Sequence, residues 1–177
     1  ETSVSVKTIC ADYFMEAPLH SSDSKLAEES FKILERLLEA AKVLKITDIV
    51  IPCVDQSSLK TEAAVNRFIK QIIKIIPTIE KENFNLSLET DLAPQPFIEL
   101  LNQLNSKNIT VNYDIGNSAA LGFDSDEELA AYGDRITDIH IKDRLLGGGP
   151  VTLGEGNADF VKFFDKLEEY DYQGAFI

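Results

Sequence analysis

The sequence has no tryptophan, one methionine, two cysteines and two histidines. Cys10 and Cys53 lie in separate apolar runs, with no CxxC pair and no Cys/His cluster. That spacing gives no sign of a thiolate metal centre, and the two are expected to be buried free thiols in a reducing, cytoplasmic compartment. No apolar run approaches the roughly 20 residues of a membrane span, so no membrane partner is expected, and the opening "ETSVSVK" lacks the character of a signal peptide. Bases are few: Lys+Arg number 17 against 30 Asp+Glu, a formal net charge of −13. A phosphate backbone rewards Lys and Arg, so nucleic-acid binding is disfavoured. Neither a GxGxxG nor a Walker pattern is present, which removes support for nucleotide binding. Linkers, repeats and low-complexity tracts are also missing. What remains is a 177-residue chain with 44% hydrophobic and 27% charged residues, enough for one domain with a sizeable core.

Two periodicities alternate along it. Short β-rich runs are "SVSVKTIC" (3–10), "DIVIPCV" (48–54), "NFNLSLE" (83–89), "NITVNYD" (108–114), "RITDIHI" (135–141) and "GAFI" (174–177). Between them, apolar residues recur at helical spacing: Ala27, Phe31, Leu34, Leu38 and Ala41, then Val65, Phe68, Ile72, Ile75 and Ile79. Phe97, Leu100, Leu101 and Leu104 form a third face, and Phe160, Phe163, Phe164 and Leu167 a fourth. Ser22, Asp23 or Ser24 is expected to cap the first helix and Asn157 or Asp159 the last, while Pro77 is expected to kink or end the second. Strand–helix–strand alternation predicts an α/β fold with a parallel sheet and helices packed outside it.

Three strand candidates finish on a potential metal ligand: Glu89 in "LSLE", Asp114 in "VNYD" and His140 in "DIHI". The carboxyl ends of parallel strands share one face, which carries the site in α/β folds. Two carboxylates and an imidazole suit Mn²⁺, Co²⁺, Zn²⁺ or Mg²⁺. One acid at a strand end is commonplace, because the loop begins there. Three in succession indicate a site.

The stretches "ICADYFMEAPL", "LSLETDLAP", "VNYDIGNSAALGFD", "DIHIKDRLLGGGPVTLGEGNADF" and "YDYQGAFI" resemble the xylose isomerase-like TIM barrels, a group of sugar isomerases and 3-epimerases that also includes endonuclease IV. The sugar-phosphate branch, with the hexulose-6-phosphate isomerases and the ribulose- or xylulose-5-phosphate 3-epimerases, is the nearest in pattern. The resemblance implies a (β/α)₈ barrel. This chain would supply six parallel strands, the third to the eighth, of a single domain spanning 1–177 and truncated at both ends. It implies one divalent metal on Glu89, Asp114, His140 and a second glutamate just past Ile177, and no organic cofactor. The substrate would be a small sugar or sugar phosphate, epimerised or isomerised by proton transfer beside a carbonyl through an enediolate, with Glu89 as a catalytic base. Dimers and tetramers are common in this group, so a homo-oligomer is in keeping with it. A keto-sugar or polyol dehydratase on the same fold, and a non-catalytic binding protein that kept the barrel, are the alternatives. An endonuclease IV-like hydrolase is disfavoured, since its three-zinc cluster needs several histidines and only His20 and His140 are present.

Around the three ligands, Lys142 shares the side of His140 by strand alternation and is a candidate substrate contact. Arg144 is a candidate anion contact, Asp143 is expected to orient Lys142 or Arg144, and Gly147–Gly149 are expected to form a mobile loop over the pocket. Asn117, three residues after Asp114, is a candidate substrate contact or a turn residue. Glu155 reads as a loop acid and His20 as a solvated loop histidine.

Overall fold

The structure, a computed structural model, describes residues 5–177. Its centre is a sheet of six strands: β1 (Thr8–Cys10), β2 (Asp48–Cys53), β3 (Asn85–Thr90), β4 (Ile109–Asp114), β5 (Ile136–His140) and, last in the chain, β8 (Ala175–Phe176). They lie in the order β1-β2-β3-β4-β5-β8, and every pairing is parallel. The intervening helices are α1 (Tyr13–Glu16), α2 (Ser24–Leu44), α3 (Glu62–Glu82), α4 (Pro94–Leu104), α5 (Ile115–Leu121), α6 (Ser125–Tyr132) and α7 (Phe160–Leu167). A two-stranded antiparallel hairpin, β6 (Asp143–Arg144) with β7 (Pro150–Val151), leaves the top of the sheet after β5. The architecture is a half-barrel of six parallel strands with helices packed outside it. No helix of the described residues is long and apolar enough to cross a membrane.

Alternation along each strand separates two environments. Leu86 and Leu88, Ile109 and Val111, and Ile49 and Ile51 face the helices and join one core with Leu34, Phe68, Ile72 and Leu101. The opposite face is polar. Ser87, Thr110 and Thr137, on three neighbouring strands, bond to one another at 2.7–2.8 Å, and Ser87 also reaches Asp138 Oδ2 at 3.3 Å. Thr137 enters this group through an irregularity: β4 and β5 lose register between Val111 and Asn112, so that Ile136 and Thr137 together answer one residue of β4. A bulge of this kind turns a side chain that simple alternation would send outward. Beyond it, Asp114 and His140 stand directly opposite one another.

Sequence periodicity locates the long helices well. Asp23 caps α2 by accepting from Lys25 and Leu26 amides, and Asp159 caps α7 by accepting from Lys162. Several expectations are corrected. The first strand covers Thr8–Cys10 only; Ser3 and Val4 of the expected 3–10 run lie outside the described residues. Pro77 does not end α3, which continues to Glu82. The carbonyl that Pro77 leaves unbonded belongs to Ile73, on the exposed side of the helix, where water can satisfy it. Phe164 is 37% exposed because it turns toward Phe176 at the sheet edge, away from the core face held by Phe163 and Leu167. Cys53 is a buried free thiol, but Cys10 is exposed, since β1 is an edge strand of the sheet. His20 is buried at 6% exposure, packed edge-on against Phe68, with its backbone carbonyl accepting from Arg67 Nε at 2.7 Å. Burial, with Arg67 beside it, pushes the imidazole down to about 4, so it is neutral at pH 7.

Candidate functional site

At the carboxyl ends of β3, β4 and β5, one ligand atom each from Glu89, Asp114 and His140 lies within 4.8 Å of the other two. His140 Nδ1 is 3.5 Å from Glu89 Oε2 and 3.8 Å from Asp114 Oδ2. Strand geometry accounts for this. Glu89 is the penultimate residue of β3, Asp114 and His140 end β4 and β5, and all three point to the polar face. Asp114 does two jobs. Its Oδ1 caps α5 by accepting from Asn117 N at 2.7 Å, which leaves Oδ2 for the site.

Two asparagines fix Glu89 from either side. Asn112 Nδ2 donates to Oε2 at 2.9 Å and Asn117 Nδ2 to Oε1 at 2.7 Å. Asn112 also lies 3.2 Å from His140 Nδ1. Sequence reasoning singled out Asn117 but missed Asn112, which sits inside a strand. Its polarity among "ITVNYD", two residues before Asp114, is the signal that could have marked it.

The electrostatics favour a cation. Burial, reinforced by the Asp114 charge, holds the Glu89 carboxyl above the usual carboxylate range. Burial acts the same way on Asp114 but is outweighed by His140, the Asn117 amide and Lys142, which hold it below that range. Burial works against charge on His140 too, yet the Asp114 and Glu89 carboxylates raise it. Lys142 Nζ stands 3.3 Å from Asp114 Oδ2, on the side alternation predicts. Two buried carboxylates and one imidazole, aimed at a common point and balanced only by one half-buried lysine, fit a divalent cation.

The surrounding loop differs from expectation. Asp143, 1% exposed, orients neither Lys142 nor Arg144. Its carboxylate accepts the amides of Gly154 (2.9 Å), Gly156 (2.8 Å) and Ala158 (3.1 Å), because the "LGEGNA" segment folds back over it. A Cβ at Gly156 would come 2.1 Å from Asp143 Oδ1, so glycine is needed there. Gly116 is closely packed as well: a Cβ would fall 2.9 Å from Lys142 Cγ and 3.0 Å from its backbone carbon, so Lys142 would have to shift to admit one. Gly147–Gly149 form the tip of the β6–β7 hairpin, pinned to α5 by Gly147 N donating to Ala120 O at 2.7 Å. Arg144 donates to Gly148 O from Nε (3.1 Å) and Nη2 (2.8 Å) and to Asn117 Oδ1 from Nη1 (2.8 Å). A chain of contacts therefore runs Arg144–Asn117–Glu89. Beside it lies a cavity of about 200 Å³ between Lys60, Asp91, Asn117 and Arg144. Glu155 is exposed and His20 is in the core, so neither joins the site.

The chain is similar to several known proteins. SgbU of Haemophilus influenzae, whose name proposes an L-ribulose-5-phosphate 3-epimerase, is 27% identical over 195 residues, an alignment covering 100% of this chain and 66% of SgbU. The chain thus spans just under two thirds of that relative's length. Among solved structures, a D-tagatose 3-epimerase-like protein superposes with a TM-score of 0.79 at 19% identity, covering 98% of this chain and 70% of that one. The IOLI protein, solved with a bound zinc atom, superposes at 0.77 with 17% identity, covering 98% and 65%. At such identities the structural likeness is one of fold. The family model of the xylose isomerase-like TIM barrels matches residues 1–177, and the chain belongs to that family.

Proposed function

We propose that the chain carries the cation-binding and proton-transfer part of a metal-dependent sugar or sugar-phosphate isomerase, with 3-epimerisation as the reaction. The observation that carries this reading is the convergence of Glu89, Asp114 and His140 within 4.8 Å at three successive strand ends. The names of the relatives, an L-ribulose-5-phosphate 3-epimerase and a D-tagatose 3-epimerase-like protein, support the choice of reaction. The zinc in the IOLI structure supports a metal.

The proton on carbon beside a ketose carbonyl is weakly acidic, and its removal leaves an enediolate with negative charge on oxygen. A divalent ion held by Glu89, Asp114 and His140 would supply electrostatic stabilisation of that charge. Glu89 would take the proton, its carboxylate held in place by Asn112 and Asn117. Lys142 and Arg144 would bind substrate oxygens, with Asn117 between them and the cavity beside Arg144 accepting the remainder of the sugar. Proton transfer of this kind calls on no organic cofactor.

The test is hydrogen exchange in heavy water on a panel of ketoses and ketose phosphates, with Mn²⁺ added and the spectrum followed by proton NMR. Loss of the signal at carbon 3 is the expected result, abolished in Glu89→Gln. A folded protein that binds the metal yet exchanges no ketose proton would favour a non-catalytic binding protein.

A further inference from the structure

Outside the site, a groove of about 520 Å³ lies between α2 and α3. Arg67, Lys70 and Lys74 line its α3 wall. At spacings of three and four they form one stripe along that helix. None of the three has a carboxylate within 4.0 Å among the described residues, as is also true of Lys25, Arg36, Lys45 and Lys107, whereas Lys42, Lys60, Lys162 and Lys166 are paired. Arg67 and Lys74 are held instead by neutral groups: Arg67 Nε donates to His20 O at 2.7 Å, and Lys74 Nζ donates to Gln71 Oε1 at 2.6 Å and lies 5.4 Å from the Phe31 ring centroid. The one carboxylate on the lining, Glu28, is bound by Lys32 at 3.1 Å. Leu19, Ala27 and Phe31 give the groove an apolar floor.

Three cations on one wall of a groove whose single carboxylate is already paired concentrate positive charge in a chain of net charge −13. Clustered cations in a cleft attract anions locally even where the net charge of the whole protein repels them. We infer that this groove binds a small organic phosphate, the phosphate meeting Arg67, Lys70 and Lys74 and the carbon skeleton lying on Phe31. The separation of charge and apolar surface selects that chemistry. A bare inorganic anion would leave Phe31 unused, and a purely apolar ligand would leave the cations so. The groove also touches Leu19 and Ser21, in the segment that leads from β1 into α2.

Binding is read by titration calorimetry on the full chain without metal at low ionic strength, with phenyl phosphate and inorganic phosphate as probes. Phenyl phosphate is expected to bind at least fivefold more tightly than inorganic phosphate. Lys70→Glu with Lys74→Glu should weaken it at least tenfold, and Phe31→Ala should erase the difference between the probes. Circular dichroism confirms that the variants fold. Lys70→Ala with Lys74→Ala, two exposed positions, serves should the charge reversal unfold the chain. Asp114→Asn, in the strand-end site, should leave binding unchanged. Equal affinity for the two probes, binding insensitive to Lys70 and Lys74, or binding lost in Asp114→Asn would each overturn the assignment. So would capture of an acidic peptide with no affinity for phenyl phosphate.

Discussion

Thr8 Oγ1 donates a 2.7 Å hydrogen bond to Asp138 Oδ1, joining β1 to β5 although β2, β3 and β4 lie between them in the sheet. Only a strongly curved sheet lets a first and a fifth strand touch across its polar face. Burial holds the Asp138 carboxyl above the usual range, and the Thr8 bond opposes that rise. Thr8→Val keeps the shape and removes the donor. It should lower stability by about 1–2 kcal/mol in urea denaturation. Unchanged stability would show that the bond contributes nothing to the curvature.

Asn112 is the second residue to test. Asn112→Leu removes the amide that bonds Glu89 and lies beside His140 while nearly preserving volume. Partners that orient metal ligands are worth about 10–100-fold in affinity. A fall of that size in Mn²⁺ or Zn²⁺ binding, with an unaltered far-ultraviolet spectrum, is expected under the proposed function. Wild-type affinity would remove Asn112 from the site.

Asp143 makes a pH prediction. Burial opposes its charge, but the amides of Ala158, Gly156 and Gly154 outweigh burial and hold the carboxyl below its usual value. A depressed folded pKa means that the stabilisation is present above the unfolded value of about 3.9 and is lost as pH falls through the lower folded one. Amide exchange at Gly154 and Gly156 should therefore stay slow through neutral and mildly acidic pH. Protection should be lost only below about pH 3.9, and Asp143→Asn should speed exchange above that pH, where the wild-type carboxylate is ionised. Gly156→Ala should do the same by steric collision. Rapid exchange of these amides at neutral pH in the wild type would contradict the bonds described.

Glu128 is buried at 3% exposure and accepts from Tyr113 at 2.6 Å, from Tyr132 at 2.9 Å and from Ser118. Burial holds its carboxyl above the usual range despite these donors. With a raised folded pKa, the ionised form weakens the fold as pH climbs from the unfolded value to the folded one. Glu128→Gln should therefore be tolerated or mildly stabilising near neutral pH. Glu128→Ala, which leaves Tyr132 without its acceptor and Tyr113 and Ser118 only their 3.1 Å bond to each other, should cost about 3 kcal/mol. Thermal melts of the two variants decide it; equal melting temperatures would show that the hydroxyls find other partners.

Much of this was legible because it rests on period and position. The four helix faces were visible since the apolar residues around Leu34, Phe68, Leu101 and Phe163 each recur at helical spacing over eight residues or more. Glu89, Asp114 and His140 were visible because a parallel sheet gathers its strand ends. The short α5 and α6 were not. The first begins in mid-motif at Asp114, and the second buries only Glu128, Leu129 and Tyr132. His20 was misread because "PLHSS" is polar in composition, while the core that receives its ring comes from α3, over forty residues on. Asp143 was misassigned because a charged loop residue carries no mark of the amides that will fold over it. Sequence spacing reports what one element presents; it is silent on what another element brings to meet it.

The Ser87, Thr110 and Thr137 hydroxyls each lie within bonding distance of the other two. Three hydroxyl protons serve four contacts, because Ser87 also lies 3.3 Å from Asp138 Oδ2; while the Ser87 proton stays within the ring, the bonds can run in either of two senses and the protons can reverse together without any heavy atom moving. Each member's bond polarises the next. Deleting one hydroxyl therefore does not remove a third of the unit. It opens the ring, leaves one neighbour short of a donor and the other short of an acceptor, and abolishes the reversal altogether.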